Sequence, residues 1–240
     1  MRSWLRLRYQ AAERELLVFD RVTDWSVLRR VRPYRPDFGR RRGKCIDRYY
    51  IEKFLSAYQE SIRGSVAEVG SDDYIRLFGG SRVEHSDVID VNEKNQHRTV
   101  TIDLSQTATV PEKVYDCIIC VQTIFQIYDY PAAVRSLHKM LKDDGILLTT
   151  VPGICQSVRG GMLAGAGDDW WRFTSRSAQL AFGEVFGEDN VTVRTYGNVL
   201  TATALLQGLV REELTLAELD FHDPDYEVTI GVKATKSHSG

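Results

Sequence analysis

Apolar residues recur along the chain at two different periods. Between positions 47 and 62, Tyr50, Ile51, Phe54, Leu55, Tyr58 and Ile62 follow the three-and-four spacing of one helical face. Asp47 stands where an N-cap would accept the first backbone N–H groups. From Val66 onward the rhythm shortens. Runs at 66–69, 88–91, 99–102, 115–121 and 146–151 are short and rich in β-branched residues, which suits strands buried on both faces. A helix is expected after Ser71-Asp72-Asp73-Tyr74, and a clearer one over 131–141. There Pro131 suits the first turn, Ala133, Val134, Leu137, Met140 and Leu141 form one face, and Gly145 is a stop. Alternation of strands and helices predicts an open, largely parallel α/β sheet. In the last third, Thr174 or Ser175 caps a helix through Phe186, and 191–196 is a strand. A helix over about 199–209 and an alternating strand over 226–232 follow. Two late strands with a long connection fit an antiparallel edge on a parallel sheet.

Composition narrows the class. The 240 residues are 43% hydrophobic and 27% charged, enough for one sizeable core with an appendage. Gly is 18 and Pro is 6, with no low-complexity tract, so fibrous and disordered readings fail. No apolar run approaches the roughly 20 residues that span a bilayer, and the N-terminus lacks a signal peptide's apolar segment. The expected location is cytoplasmic. Charge divides the chain: residues 1–44 carry a net +8 and the remainder −10. The expected plan is therefore a basic extension over 1–44, one domain over 45–235 and a tail over 236–240. The extension, with Arg29-Arg30, Arg32, Arg35 and 40–44, suits an anionic partner such as a membrane surface. The plainer reading is a solvated arm on an acidic body. No nucleic-acid motif is present, so no specific nucleic acid is expected. Cys117 and Cys120 lie three apart on a strand and so face opposite sides, which excludes a shared metal. No metal is expected.

In open α/β sheets, ligands bind beyond the carboxyl ends of the strands. The first strand ends at Glu68-Val-Gly70, where the glycine permits a tight turn and close approach. Twenty positions later the second strand ends at Asp90, the spacing that places a carboxylate on ribose hydroxyls. Asp103-Leu104 follows the third strand, and its carboxylate suits an adenine amino group. Together they point to an adenosine-containing ligand.

These residues, with Tyr115-Asp116-Cys-Ile-Ile and Leu141-Lys-Asp-Asp-Gly145-Ile-Leu-Leu, resemble the ordered motifs of class I S-adenosylmethionine-dependent methyltransferases over residues 45–235. Ile46-Asp-Arg-Tyr-Tyr50, Val151-Pro-Gly153, Trp171-Arg-Phe-Thr174, Gly197-Asn-Val199 and Asp223-Pro-Asp-Tyr226 resemble bacterial methyltransferase-domain proteins, some encoded beside glycosyltransferases. The resemblance implies a Rossmann-like, doubly wound α/β sheet of seven strands, mostly parallel with the last antiparallel. It implies S-adenosylmethionine as cofactor, with Glu68 and Gly70 at its methionine end, Asp90 and Val91 at its ribose, and Asp103 with Leu104 at its adenine. One feature departs from that pattern. The usual first loop has glycines at alternate positions, whereas only Gly70 stands here, followed by Asp72 and Tyr74. Asp72 would repel the cofactor's carboxylate if it pointed inward. The same loop disfavours a pyrophosphate-bearing dinucleotide, and with it a nucleotide-dependent oxidoreductase.

The fourth strand ends at Val121, which places Gln122, a further candidate cofactor contact, and the residues to Asp129 beside the transferred methyl group. Tyr128 and Asp129 are the candidates for positioning the acceptor or taking its proton, and His222 is a further one. The connection over 152–173 has the length of a binding loop or lid, hinged at Gly160-Gly161, Gly165 and Gly167. Trp171 and Arg172 are its candidate acceptor contacts, although Trp170 and Trp171 also read as core aromatics. The function that follows is methyl transfer to a small-molecule, saccharide-like or glycan acceptor. The competing reading is an inactive methyltransferase-like scaffold. Oligomeric state is not indicated.

Overall fold

The structure is a computed structural model and describes residues 29–158 and 168–238. The chain divides into two units, 1–33 and 34–240, and the second holds every element below. Helix α1 (Ile46–Ala57) precedes strands β1 (Gly64–Val69), β2 (Val83–Asp90), β3 (Val100–Thr101) and β4 (Tyr115–Val121). Then come α2 (Tyr130–Met140), β5 (Leu141–Pro152), α3 (Ser175–Phe186), β6 (Val191–Tyr196), α4 (Val199–Gln207), α5 (Leu216–Asp220) and β7 (Thr229–Thr235). The seven strands form one sheet in the order β3-β2-β1-β4-β5-β7-β6. From β3 to β5 all pairings are parallel, and β7 runs antiparallel to both β5 and β6. The expected mixed sheet is present, with the last strand in chain order inserted between β5 and β6.

Both faces of the sheet are covered, so its central strands read as unbroken apolar runs. Ala67, Ile118, Cys120, Leu147, Ile230 and Val232 pack beneath Val134 and Leu137 of α2 and Phe182 of α3. Val66, Cys117, Ile119 and Leu148 pack on the other face beneath Ile51, Phe54 and Leu55 of α1. The two cysteines of the Cys-x-x-Cys pattern therefore lie in opposite layers, both fully buried. A third cluster joins Phe38, Ile46 and Tyr50 to Ala202 and Leu205 of α4.

Several local expectations shift. Helix α1 begins at Ile46, and Cys45 stands at the N-cap without a side-chain bond to the helix. A bridge from Cys45 to Val210 fixes that start, and Asp47 falls in the first turn. No α-helix follows β1; a π-helical turn over Ile75–Gly79 and a 3₁₀ turn over Gly80–Arg82 lead into β2. Gly80, at φ +58°, breaks the helical path there. The final strand begins at Thr229 rather than 226, because Tyr226 N–H closes a turn on the Asp223 carbonyl.

Residues 34–44, read from sequence as part of the extension, pack into the body. Phe38 is buried, Arg35 N–H donates to the Gln207 carbonyl at 3.1 Å, and Arg211 N–H donates to the Lys44 carbonyl at 2.8 Å. At the other end, Lys236 is buried, its ammonium donating to the Leu141 carbonyl at 2.7 Å, so it belongs to the domain and not to a tail. Residues 1–28 of the basic arm, with any membrane contact, lie outside the described residues, as do the hinge glycines over 159–167. Among the described residues no helix is long and apolar enough to cross a membrane.

Helix α1 crosses β7 with the Phe54 ring seated directly on Gly231, where a Cβ would collide with the ring carbons. Gly231→Ala is expected to destabilise the fold by about 1–3 kcal/mol through overpacking. Denaturant unfolding of the variant, with the slope unchanged and the midpoint lowered, checks this.

Candidate functional site

Strand β1 delivers the chain to a turn at Gly70, whose φ of +90° places it in the region that favours glycine. Its N–H donates to the Ile89 carbonyl at 2.9 Å, and nothing lies within 4 Å of where a Cβ would project. The turn is thus pinned to β2 on one side and open on the other. Beneath it Glu68 is buried, 1% exposed. One carboxylate oxygen accepts the N–H groups of Tyr74 at 3.0 Å and Ile75 at 2.9 Å, and the other accepts the Ser71 hydroxyl at 2.9 Å. Burial pushes its pKa up to about 7, against the pull of these three donors. Asp72, which the sequence left as a potential source of repulsion, pairs with Arg76 Nε at 2.6 Å.

Asp90 ends β2. Its Oδ1 accepts the Asn92 N–H at 2.8 Å, and its Oδ2 accepts the Asn95 side-chain amide at 2.6 Å. The same amide nitrogen donates to the Gly70 carbonyl at 2.8 Å. Val91, next along, is exposed. Asp103 follows β3, its Oδ1 accepting the Ser105 N–H at 2.9 Å and the Ser105 hydroxyl at 2.7 Å, with Leu104 buried beside it. Gly70, Asp90 and Asp103 therefore stand in succession beyond the carboxyl ends of three neighbouring strands.

A cavity of about 100 Å³ lies beyond the ends of β4 and β5. Gln122, Phe125 and Gln126 form one wall, Pro152, Cys155 and Val158 a second, and Phe38 with the first turn of α1 a third. Gln122 is turned to φ +50°, and the Gln126 amide donates to its carbonyl at 2.9 Å. Cys45, Asp47 and Arg48 face the cavity from α1. Arg48 donates to the Tyr74 hydroxyl at 3.0 Å, which ties this wall to the turn after β1. Arg172 lies 5.5 Å over the Phe125 ring and is held by Asp169, which also accepts the Val158 N–H at 2.6 Å. Burial raises both thiols, that of Cys155 to about 12.

Of the candidates named from sequence, the cofactor-side Gln122 and the acceptor contact Arg172 line this cavity, and the remaining acceptor-side residues have different surroundings. The Asp129 carboxylate caps α2, accepting the Ala132 N–H at 3.0 Å. Tyr128 is exposed, with its ring against Trp170 at 5.1 Å. The Trp171 indole donates to the carbonyls of Ile127 and Tyr128, both at 3.1 Å, and its ring packs edge-on to Tyr130, a core role. His222 sits in a separate groove with Tyr50, Lys53 and Asp220, bonded to Thr195 at 2.8 Å. Sequence reasoning passed over Asp47 and Arg48 as site residues, although both fall in the Ile46-to-Tyr50 motif. It passed over Asn95 because nothing in spacing or periodicity marks it. No group of three or more metal-ligating side chains occurs among the described residues.

Residues 48–188, more than half of the chain, match the family profile described as a methyltransferase domain. The fold is similar to that of a SAM dependent methyltransferase from Archaeoglobus fulgidus, at 12% identity and a TM-score of 0.51 over 78% of this chain and 98% of that one. It is equally similar to an S-adenosylmethionine dependent methyltransferase from Mesorhizobium loti, at 12% identity and 0.51 over 80% and 98%. At such identities the likeness concerns the fold alone. By sequence, no curated protein matches the chain.

Glu68 carries a pH signature. Its folded pKa of about 7 stands above the ordinary 4.5, so between these values the folded state holds a proton that the unfolded state has lost. Stability from this group is full below pH 4.5 and is lost as pH rises through 7, by roughly 3 kcal/mol in all. Glu68→Gln reproduces the protonated side chain: its carbonyl accepts both N–H groups and its amide donates to Ser71. Thermal unfolding is expected to match wild type at pH 4.5 and to exceed it at pH 8.

Proposed function

The chain belongs to the methyltransferase-domain family, and on that premise we propose that it transfers a methyl group from S-adenosylmethionine to a hydroxyl of a small-molecule or saccharide-like acceptor. The observation that carries this reading is the succession of Gly70, Asp90 and Asp103 beyond β1, β2 and β3, beside a cavity beyond β4 and β5.

The residues present fit the cofactor. The open face of Gly70 leaves room for the methionine tail, and the pairing of Asp72 with Arg76 removes the repulsion its carboxylate would exert. Arg48, bonded to Tyr74 of the same turn, offers the tail carboxylate a cation. Asp90 would take the ribose hydroxyls, with Val91 beside it, and Asp103 with Leu104 would take the adenine. When bound, S-adenosylmethionine supplies an electrophilic methyl group whose C–S electron pair leaves with sulfur as a neutral thioether.

The acceptor's reacting end would occupy the cavity, whose size of about 100 Å³ admits part of a small molecule. A hydroxyl acceptor must lose a proton as its oxygen is methylated. Among the described residues Asp47 is the one carboxylate on the cavity wall. The thiols of Cys45 and Cys155 are held protonated by burial, and arginines keep their protons. Asp47 is accordingly the proton acceptor in this reading, while Phe38, Phe125 and Pro152 give the acceptor an apolar seat.

Calorimetric titration with S-adenosylmethionine and S-adenosylhomocysteine, beside NAD, tests the cofactor. Saturable binding of both sulfur ligands and not of NAD is expected; binding of neither by the folded protein would make it a scaffold. Asp90→Ala is expected to weaken binding by about 1–3 kcal/mol. With a hydroxyl acceptor, Asp47→Asn is expected to lower kcat about 100-fold or more. A variant with unaltered turnover would remove Asp47 from the chemistry.

A further inference from the structure

The gap between the ends of β1 and β2 is bridged by the chain's own side chain. The Asn95 amide nitrogen carries two hydrogens, and it has two acceptors: Asp90 Oδ2 at 2.6 Å and the Gly70 carbonyl at 2.8 Å. Its carbonyl oxygen accepts the His97 N–H at 3.0 Å, which fixes which end of the amide faces the gap. Every polar atom of the side chain is thus engaged. Asn95 is also the one residue of 91–98 whose hydrogen bonds reach the turn after β1; the loop's other bonds run within itself or to Asp90. The Asp90 carboxylate keeps a separate anchor on Oδ1, the Asn92 N–H at 2.8 Å, which holds its orientation whether or not Asn95 is present.

We propose that Asn95 is a stand-in for the cofactor's ribose, a side chain that occupies the ribose subsite of the free protein and must yield it on binding. The inference rests on the cofactor reading above. A ribose diol presents two O–H donors to the gap, and the asparagine amide presents two N–H donors in their place. Binding then exchanges one pair of donors for another, so the hydrogen bonds to Asp90 contribute less to affinity than they would in an empty gap. Asn95 thereby sets the cofactor concentration at which the site fills. Its release also frees the 91–98 loop from the β1 turn, so loop position reports occupancy.

A staple and a stand-in differ in sign. If Asn95 only braced Asp90, removing it would weaken cofactor binding. As a competitor, its removal strengthens binding even though the free protein loses two hydrogen bonds. Asn95→Ala is expected to bind S-adenosylhomocysteine about 3- to 10-fold more tightly than wild type in calorimetric titration. Its thermal midpoint without ligand is expected to be equal or slightly lower. In wild type, the Asn95 side-chain amide resonances should shift, and exchange faster with solvent, when S-adenosylhomocysteine saturates the protein. Unchanged or weakened affinity in Asn95→Ala, with wild type binding, overturns the proposal. So do amide resonances that stay put on saturation. If neither protein binds the ligand, the cofactor reading itself has failed, a result that the wild-type titration alone identifies.

Discussion

A carboxyl group buried at the end of β1 is what the site depends on. With one glycine in the first turn, the backbone cannot wrap a ligand by its own flexibility and needs a fixed path away from the sheet. Glu68 supplies it by gathering the Tyr74 and Ile75 N–H groups on one oxygen and the Ser71 hydroxyl on the other. That fixes Tyr74, whose hydroxyl receives Arg48, which in turn places the first turn of α1 against the cavity. One desolvated group therefore sets the relative position of the strand-end rim and the acceptor wall. Removing water from a carboxyl is costly, and a half-satisfied one would be worse than none. Here every acceptor oxygen has a donor.

The two halves of the site differ in character. The rim is acidic, built from Asp90 and Asp103, each anchored by a backbone N–H close in sequence. The cavity wall is cationic and apolar, and two of its guanidinium groups are committed: Arg172 to Asp169 and the Gln156 carbonyl, Arg48 to Tyr74 and Asp47. Such commitments fix side chains that would otherwise lose rotamer freedom on binding, which is how a small cavity is kept in shape. Asp169, its side chain only 4% exposed, ties Val158 to Arg172, so the wall is closed at its base by a single ion pair.

The sheet was legible in the sequence because parallel strands buried on both faces leave short, branched apolar runs that few other structures produce. The rim was legible for a related reason: a strand end is visible, and the residue just past it has few places to go. The acceptor side was not. Tyr128 and Asp129 follow closely on β4, but the 3₁₀ turn over Ile124–Gln126 redirects the chain and hands Asp129 to the N-terminus of α2. Asp47 looked like a cap since its spacing suits one. The N-cap stands two residues earlier, at Cys45, set by its contact with Val210, a partner no local window contains. The helix expected after β1 is likewise only a short π-helical turn, ended by the Gly79-Gly80 break.

The insertion of β7 between β5 and β6 has a consequence for how the protein comes to be folded. A ribosome releases β6 some 30 residues before β7, yet among the described residues β6 pairs with no other strand. Until residues 229–235 emerge, β6 has no hydrogen-bonded neighbour and β5 presents an open edge along Ile146–Pro152. Strands β1 to β5 can assemble as the chain lengthens, whereas the far side of the sheet must wait for its last strand. An exposed apolar edge of that kind invites pairing with other chains. The nascent chain therefore carries an edge open to pairing with other chains in the interval between the making of β6 and the arrival of β7.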